Sequence, residues 1–216
     1  MKIGIELNGV IRDINQQIVD YYRKDFDKSF DVESVDLDRV DFLPQIPFKS
    51  KEEEDKFMYI DYPYEVFGCA GTMHMHLPNT LNTWHRHLPK TDDILLFSLM
   101  ESGLSIQSSY FFLSKIGCKI REVFFPKKAK EIWDKCDVVI TTNKQVVRSK
   151  PQGKKVILIK KSDNMKLRKK CDLVYSNLTE ICQDANFLKM VKLKPKKENV
   201  WNQIKKFFKR DGKTEK

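Results

Sequence analysis

The stretch that decides the fold is IGIELNGVIRD, residues 3–13 of a chain of 216 residues. Its first part is apolar apart from Glu6 and predicts a buried strand. Gly9 follows closely and favours a tight turn, because glycine adopts backbone conformations that other residues avoid. The stretch therefore predicts a strand that ends at one edge of a sheet and presents two polar side chains there, Glu6 and Asn8.

Beyond this stretch, strand-like and helix-like segments alternate along the chain. Helical spacing of apolar residues predicts helices over 14–26 and in SIQSSYFFLSKIG, KKAKEIWDKC and LTEICQDANFLKMV. Further strands are predicted over 94–99, 118–125, 137–143, 155–161 and 172–177. This alternation is typical of βαβ units around a mostly parallel sheet with helices on both faces. The predicted fold class is α/β, a Rossmann-like doubly wound sheet that places functional groups at the carboxyl ends of its strands.

Bulk composition fits a protein with a sizeable core, since 41% of the residues are hydrophobic and 32% are charged. No apolar run approaches the roughly 20 residues that a membrane span needs, so we expect no membrane-spanning helix. The first residues run directly into a strand pattern and lack a signal-peptide apolar region. Five scattered cysteines without a CxxC favour free thiols in a reducing compartment. We expect a cytoplasmic protein that is not secreted.

The net charge of +10 is concentrated in two segments. Residues 144–170 hold eleven Lys or Arg and one Asp, and residues 192–216 hold ten Lys or Arg and three acidic residues. Positive charge localised in this way attracts polyanions or an acidic protein face. A lysine-rich solvated surface explains the same pattern and stays open.

The C-terminal segment, 192–216, starts as a basic linker and continues with an amphipathic helix pattern. A helix of two to three turns is marginal alone and needs a surface to pack against. We therefore expect this basic tail and the end of the first basic segment to form a partner surface. The predicted partner-binding residues are Lys160, Lys161, Arg168, Lys169, Lys170, Trp201, Ile204, Lys205, Lys206, Phe207, Phe208, Lys209 and Arg210.

All four histidines fall between positions 74 and 87, as His74, His76, His85 and His87. His-x-His on a strand puts both rings on one face, which suits a metal ion. The second pair lies in a helix-like run, where residues i and i+2 diverge. No Cys or carboxylate is suitably spaced beside either pair. We expect these histidines to pack in a cap or an interface, and we expect no metal site.

The polar residues at the predicted strand ends follow a recognisable order. Glu6-Leu7-Asn8-Gly9-Val10 ends the first strand, Ser98 ends the second, lysines follow at 127–130, and Thr141-Thr142 end the fourth. This order resembles the haloacid dehalogenase-like (HAD) superfamily, particularly its branch of 5′(3′)-deoxyribonucleotidases and short phage-encoded relatives. The resemblance covers residues 1–13 and about 91–191. It implies a HAD-like core in those two segments and an inserted helical cap at 14–90, while the basic tail at 192–216 follows the core.

The resemblance also implies which chemistry is missing. In the family a first Asp attacks phosphorus, a second Asp transfers protons, and carboxylates hold Mg²⁺. This chain has a longer carboxylate, an amide and two hydroxyls at those positions, while its Ser and Lys keep the family's residue types. We therefore expect vestigial rather than catalytic positions and no cofactor. The vestigial positions are Glu6, Asn8, Ser98, Lys130, Thr141 and Thr142.

The leading functional prediction is a catalytically degenerate HAD-like protein that acts as a binding or structural component and docks on a protein partner through its basic tail. The resemblance makes a phage virion one such assembly, which would place the protein in the host cytoplasm or the virion. One alternative is a Mg²⁺-dependent nucleotide or phosphate-ester phosphatase that works with Glu6. A second alternative is a non-specific nucleic-acid-associated module, because basic segments are present and no aromatic stacking motif is visible.

Overall fold

The computed structural model describes residues 1–87 and 94–190. The chain divides into two compact units, Met1–Gln183 and Asp184–Lys216. The first unit contains the sheet and every contact of the candidate site. The second unit is described over 184–190, where it forms one short helix.

The strands are β1 Ile3–Glu6, β2 Arg12–Asp13, β3 Gly71–Thr72, β4 Ile94–Phe97, β5 Glu122–Phe124, β6 Val138–Thr141, β7 Lys155–Ile159 and β8 Leu173–Tyr175. Six of them form a parallel sheet at the centre of the first unit, in the order β5-β4-β1-β6-β7-β8. The short strands β2 and β3 pair antiparallel and form a separate two-stranded sheet.

The central strands are continuous apolar runs because both faces of the sheet are covered. Every residue of β1, β4 and β6 is buried, as is usual for strands inside a parallel sheet. Gly4 fits this crowding, since a Cβ added there would lie 2.7 Å from Cys136 Sγ. One face packs on a cluster that includes Ile132 and Trp133. The predicted doubly wound α/β fold is confirmed.

The helices mostly follow the predicted periodicity. They are α1 Ile14–Asp25, α2 Lys51–Lys56, α3 Leu77–His87, α4 Leu104–Lys115, α5 Ala129–Lys135, α6 Lys144–Arg148, α7 Leu178–Gln183 and α8 Ala185–Met190. The single helix predicted for LTEICQDANFLKMV is wrong, because it is two helices separated at Asp184. The Asp184 carboxylate accepts a hydrogen bond from the backbone N–H of Asn186 at 2.6 Å, a local bond that competes with helix continuation.

The segment between β2 and β4 is less regular than the sheet. It contains α1, α2, α3 and four short helical turns, Val32–Ser34, Leu43–Gln45, Phe57–Asp61 and Tyr64–Gly68. The last two are π-helical turns. This segment has its own hydrophobic cluster, in which the ring centroids of Tyr22 and Phe48 lie 5.1 Å apart. The domain boundaries at 14–90 stay a prediction, but the segment does pack around aromatic side chains of its own.

The strand order locates the candidate site. From β1 the chain moves outward through β4 and β5, then returns to the other side of β1 and continues through β6, β7 and β8. The direction of winding therefore reverses between β1 and β6. In open parallel sheets, ligands bind in the crevice at the carboxyl ends of the strands at this switch point.

Composition leads us to expect no membrane-spanning helix and free cysteine thiols, and the described residues bear on both expectations. None of the helices in 1–87 and 94–190 is long and apolar enough to cross a membrane. Cys69, Cys118, Cys136 and Cys171 are free thiols.

Candidate functional site

The turn after β1 carries the polar side chains to the switch point. The Leu7 N–H donates to the Phe97 carbonyl at 2.7 Å, and the Leu7 carbonyl accepts from the Arg12 N–H at 2.7 Å. Gly9 has a φ of 78°, and a Cβ there would lie 2.9 Å from Thr142 Oγ1. The turn therefore needs glycine both for its left-handed backbone and for its close approach to β6.

The Glu6 side chain links the end of β1 to the end of β6 at the switch point. Its Oε2 accepts from Thr141 Oγ1 at 2.7 Å, from the Thr142 N–H at 2.8 Å and from Thr142 Oγ1 at 3.0 Å. The residue is 4% exposed. Burial raises the pKa of the Glu6 carboxyl above its usual value, and the hydrogen bonds from Thr141 and Thr142 partly offset that rise. One carboxylate oxygen is thus fully engaged inside the protein.

Asn8 is engaged in the same way. Its Oδ1 accepts from Arg12 Nε at 2.9 Å and from Arg12 Nη2 at 2.6 Å. Its Nδ2 donates to Ser98 Oγ at 3.2 Å. The amide accepts from Arg12 and donates to Ser98 at the same time, whereas an ionised carboxylate has no donor for Ser98. Asn8 is therefore a hydrogen-bonding link between the turn and the end of β4.

Arg12 and Glu101 form a buried ion pair behind Asn8. Arg12 is completely buried, and its Nη1 donates to the Phe67 carbonyl at 2.9 Å and to Ser109 Oγ at 2.6 Å. The hydroxyls of Ser98 and Ser109 both donate to the Glu101 carboxylate. Burial lowers the pKa of the Arg12 guanidinium, and the adjacent Glu101 opposes that change. This network joins the β1 turn, the end of β4, α4 and the cap segment.

Sequence reasoning did not identify Arg12 or Glu101. Arg12 lies in the opening stretch, but nothing in the sequence indicates that its charge is buried. Its partner is 89 positions away, so the pairing depends on the folded arrangement of four separate elements.

The lysine near this network is Lys127 rather than the predicted Lys130. Lys127 Nζ lies 3.4 Å from the Glu101 carbonyl oxygen, within hydrogen-bonding range. Lys130 lies on α5 with its side chain exposed. The loop from Pro126 to Lys128 approaches the end of β4, since the Met100 N–H donates to the Pro126 carbonyl at 3.0 Å.

A cavity of about 280 Å³ remains above the switch point. Its floor includes Glu6, Asn8 and Thr142, and its walls include Arg39 from the cap segment and Lys144 from α6. The site therefore keeps a space for a small molecule even though its strongest polar groups bind one another.

The residues at this site do not fit Mg²⁺. The ion needs near-octahedral coordination by hard oxygen ligands. The Glu6 oxygen that faces β6 accepts three hydrogen bonds, the Asn8 oxygen faces the Arg12 cation, and the Thr141 and Thr142 hydroxyls donate to Glu6. Across residues 1–87 and 94–190, no group of three His, Cys, Asp or Glu side chains is arranged to hold a metal ion.

The predicted partner-binding residues differ in their surroundings. Lys160, Arg168, Lys169 and Lys170 are exposed. Lys161 is instead only 9% exposed, and its Nζ contacts Asp38 Oδ1 at 2.8 Å. The residues of the basic tail that were predicted to bind a partner lie outside the described residues; they are Trp201, Ile204, Lys205, Lys206, Phe207, Phe208, Lys209 and Arg210.

The histidines lie just before α3 and near its end. His74 and His76 are exposed and precede the helix, whereas His85 and His87 belong to its last turns. The side chains of the second pair lie outside the described part of the structure. Their predicted packing role stays a prediction.

The comparisons with known proteins concern the fold. No family model and no curated protein matches the sequence. Among solved structures, the chain is similar to one described as "Crystal Structure analysis of a Dehalogenase". The identity is 10%, the TM-score is 0.51, and the match covers 83% of this chain and 94% of that chain. At this identity the likeness concerns the fold alone and carries no information on activity.

Proposed function

We propose that this chain is a catalytically degenerate HAD-like protein that acts as a binding or structural component. The proposal depends mainly on the state of Glu6, whose carboxylate bonds to Thr141 and Thr142 across the switch point. Its finer parts, a relationship to the deoxyribonucleotidase branch and a place in an assembly such as a phage virion, stay predictions from the sequence resemblance.

Two losses support the absence of phosphoryl transfer. The nucleophile position carries a side chain one methylene longer than Asp, and a displacement of about 1 Å can cost on the order of 100-fold in rate. The acid–base position is Asn8, which cannot exchange a proton at all, and loss of a general acid–base typically costs another 10²–10⁴-fold. The remaining cavity permits binding without chemistry.

The phosphatase alternative is tested by Mg²⁺-dependent hydrolysis of a generic phosphate ester. We expect no turnover by the wild-type chain above that of Glu6→Gln, and no Mg²⁺ binding in calorimetry. Release of chloride from a small chlorinated acid tests the activity for which the structural neighbour is named, since carboxylate displacement of halide also needs a free nucleophile. We expect none there either.

The variant Glu6→Asp/Asn8→Asp/Thr141→Asp/Thr142→Asp is the matched comparison, because it restores the family's residue types. Mg²⁺-dependent turnover gained by this variant would support both the ancestry and the loss. Wild-type turnover that Glu6→Gln abolishes would overturn the proposal.

A further inference from the structure

The structure divides the basic segment 144–170 into two groups of cations. Five of its eleven Lys and Arg form ion pairs with aspartates; these are Lys144, Lys150, Lys154, Lys155 and Lys161. The other six pair with no carboxylate among the described residues; these are Arg148, Lys160, Lys166, Arg168, Lys169 and Lys170. The second group is the part of the segment whose charge is available to a partner.

Two members of the second group line one open concave surface with a cation from the cap segment. Arg148 from α6 and Lys166 from the 3₁₀ helix Met165–Lys170 lie there with Arg39. The surface encloses about 670 Å³. We call the surface that carries these three cations the cationic groove. The exposed Arg168, Lys169 and Lys170 follow Lys166 on the same 3₁₀ helix.

The elements that carry the groove are held firmly to the sheet. Asn164 is buried, and its Nδ2 donates to the carbonyls of Thr142 at 3.1 Å and Ile159 at 3.0 Å. Its Oδ1 accepts from the Lys161 N–H at 2.9 Å. Leu167 anchors the 3₁₀ helix in the hydrophobic cluster of the sheet. The cations therefore project from fixed backbone positions rather than from a free loop.

The carboxylates in the groove already have partners. Asp163 accepts from Lys144 Nζ at 2.7 Å and from the Val40 N–H at 3.0 Å. Asp36 accepts from Ser162 Oγ at 2.6 Å. By contrast, Arg39 Nε is buried without a hydrogen bond to any described residue, at 3.8 Å from Asp163 Oδ2. The groove thus has an N–H donor without a partner among the described residues, whereas its carboxylates already accept hydrogen bonds.

We propose that the cationic groove binds the phosphate backbone of double-stranded nucleic acid, without reading its sequence. Arginine guanidinium groups match phosphate oxygens in a bidentate geometry. Duplex DNA carries about one negative charge per 1.7 Å of axis, and this repeated charge suits cations spread over the cap segment, α6 and the 3₁₀ helix. The residues that line the groove include no aromatic side chain, whereas proteins that bind single strands use aromatic stacking.

This inference does not depend on the loss of catalysis. Arg39 lines both the groove and the Glu6 cavity, but Arg148 and Lys166 line the groove and not that cavity. The phosphatase assay and a binding assay can therefore fail independently of one another.

The test is fluorescence anisotropy of the full chain with a random-sequence DNA duplex of about two helical turns, over a range of NaCl concentrations. The variant Arg148→Ala/Lys166→Ala removes two groove cations. The matched control Lys154→Ala/Lys155→Ala removes the same charge from the same segment, but both of its lysines pair with aspartates. Thermal melts of both variants establish that they fold.

We expect the wild-type chain to bind with a steep salt dependence. The groove variant should weaken binding at least tenfold and make the slope of log K against log salt shallower by about 1.8, the value for two phosphate contacts. The control should keep the wild-type slope.

Three results would overturn the proposal. The first is no salt-dependent binding by the wild-type chain, and the second is an equal loss in the groove variant and the control. The third is binding of polyglutamate of matched charge as tight as binding of the duplex, which would indicate an acidic protein partner.

Discussion

At the scale of single residues, glutamate at position 6 has one methylene more than aspartate, and this length decides what the carboxylate can reach. The extra methylene lets the side chain extend from β1 to the end of β6, where three donors meet one oxygen. Glu6 acts there as an acceptor that satisfies the Thr142 N–H and two hydroxyls, all of which are buried.

This role predicts how stability responds to substitution at position 6. Glu6→Ala leaves the Thr142 N–H and the Thr141 hydroxyl without their acceptor, and each such buried donor costs roughly 1–3 kcal/mol. Glu6→Gln keeps an oxygen acceptor and should destabilise much less. Urea unfolding at pH 7 measures both variants, and an alanine variant as stable as wild type would contradict the role.

The raised pKa of Glu6 adds a prediction about pH. Because burial raises the pKa above the value of 4.5 for the unfolded chain, the folded protein holds this proton more tightly than the unfolded protein does. The contribution of Glu6 to the free energy of unfolding is therefore complete below about pH 4.5 and declines as pH rises through the folded pKa. Glu6→Gln removes the titration, so its stability relative to wild type should increase between pH 5 and pH 8. If the difference in free energy of unfolding between Glu6→Gln and wild type stayed constant across that range, this result would count against the raised pKa of Glu6.

At the scale of elements, the Arg12–Glu101 pair connects parts of the chain that are distant in sequence. Removal of one member of a buried ion pair leaves an uncompensated charge and typically costs about 3–5 kcal/mol. We expect a loss of this size for Arg12→Met. Arg12→Met/Glu101→Gln should recover part of it, because the second change removes the isolated carboxylate. A double-mutant cycle by urea unfolding measures the coupling.

Lys51 provides the matched control for this cycle. It pairs with Glu54 and Asp55, but its side chain is 65% exposed. Exposed pairs contribute about 0–1 kcal/mol, so Lys51→Met should change stability far less than Arg12→Met. Equal effects at the two sites would show that burial of the Arg12–Glu101 pair has no special importance.

The same elements explain how far sequence alone predicts the fold. Strands buried on both faces are continuous apolar runs, so β1, β4, β6 and β7 stand out. The polar residues at their ends meet because parallel strands end at one edge, which brings Glu6 to Thr141 and Asn8 to Ser98. The Arg12–Glu101 pair and the π-helical turns leave no periodic pattern, since long-range packing decides which charge is buried and where a helix widens.

At the scale of the whole first unit, polar contacts fasten the cap segment over the strand ends. Asp163 follows β7 and accepts from the Val40 N–H at 3.0 Å and the Asp41 N–H at 3.1 Å. Lys144 contacts Asp41 Oδ2 at 2.6 Å and Asp163 Oδ2 at 2.7 Å. Lys161 and Asp38 add a second link. These bonds hold residues 38–41 as one wall of the cavity.

We call the bonds from Asp163, Lys144 and Lys161 to residues 38–41 the clamp. Asp163 makes several of these bonds, so its protonation predicts the pH at which the clamp weakens. Burial by itself raises the pKa of Asp163, but the bonds from Lys144 and from the Val40 and Asp41 N–H groups outweigh burial and hold the pKa below its usual value. The stabilisation is therefore present above about pH 3.8, the value for the unfolded chain, and is lost as pH falls through the folded pKa.

Hydrogen exchange measures the clamp directly, through Asp163→Ala at pH 7. Hydrogen bonds to charged groups contribute about 1.5–3 kcal/mol, so the Val40 and Asp41 amides should exchange on the order of 10–100 times faster. Lys154→Ala, which removes the Lys154–Asp137 pair in the same unit, should leave both amides unchanged. Wild-type exchange rates at Val40 and Asp41 in Asp163→Ala would mean that other contacts hold this wall. The Lys161–Asp38 pair would then be the contact to test next, and Asp38→Ala should accelerate exchange at the same two amides.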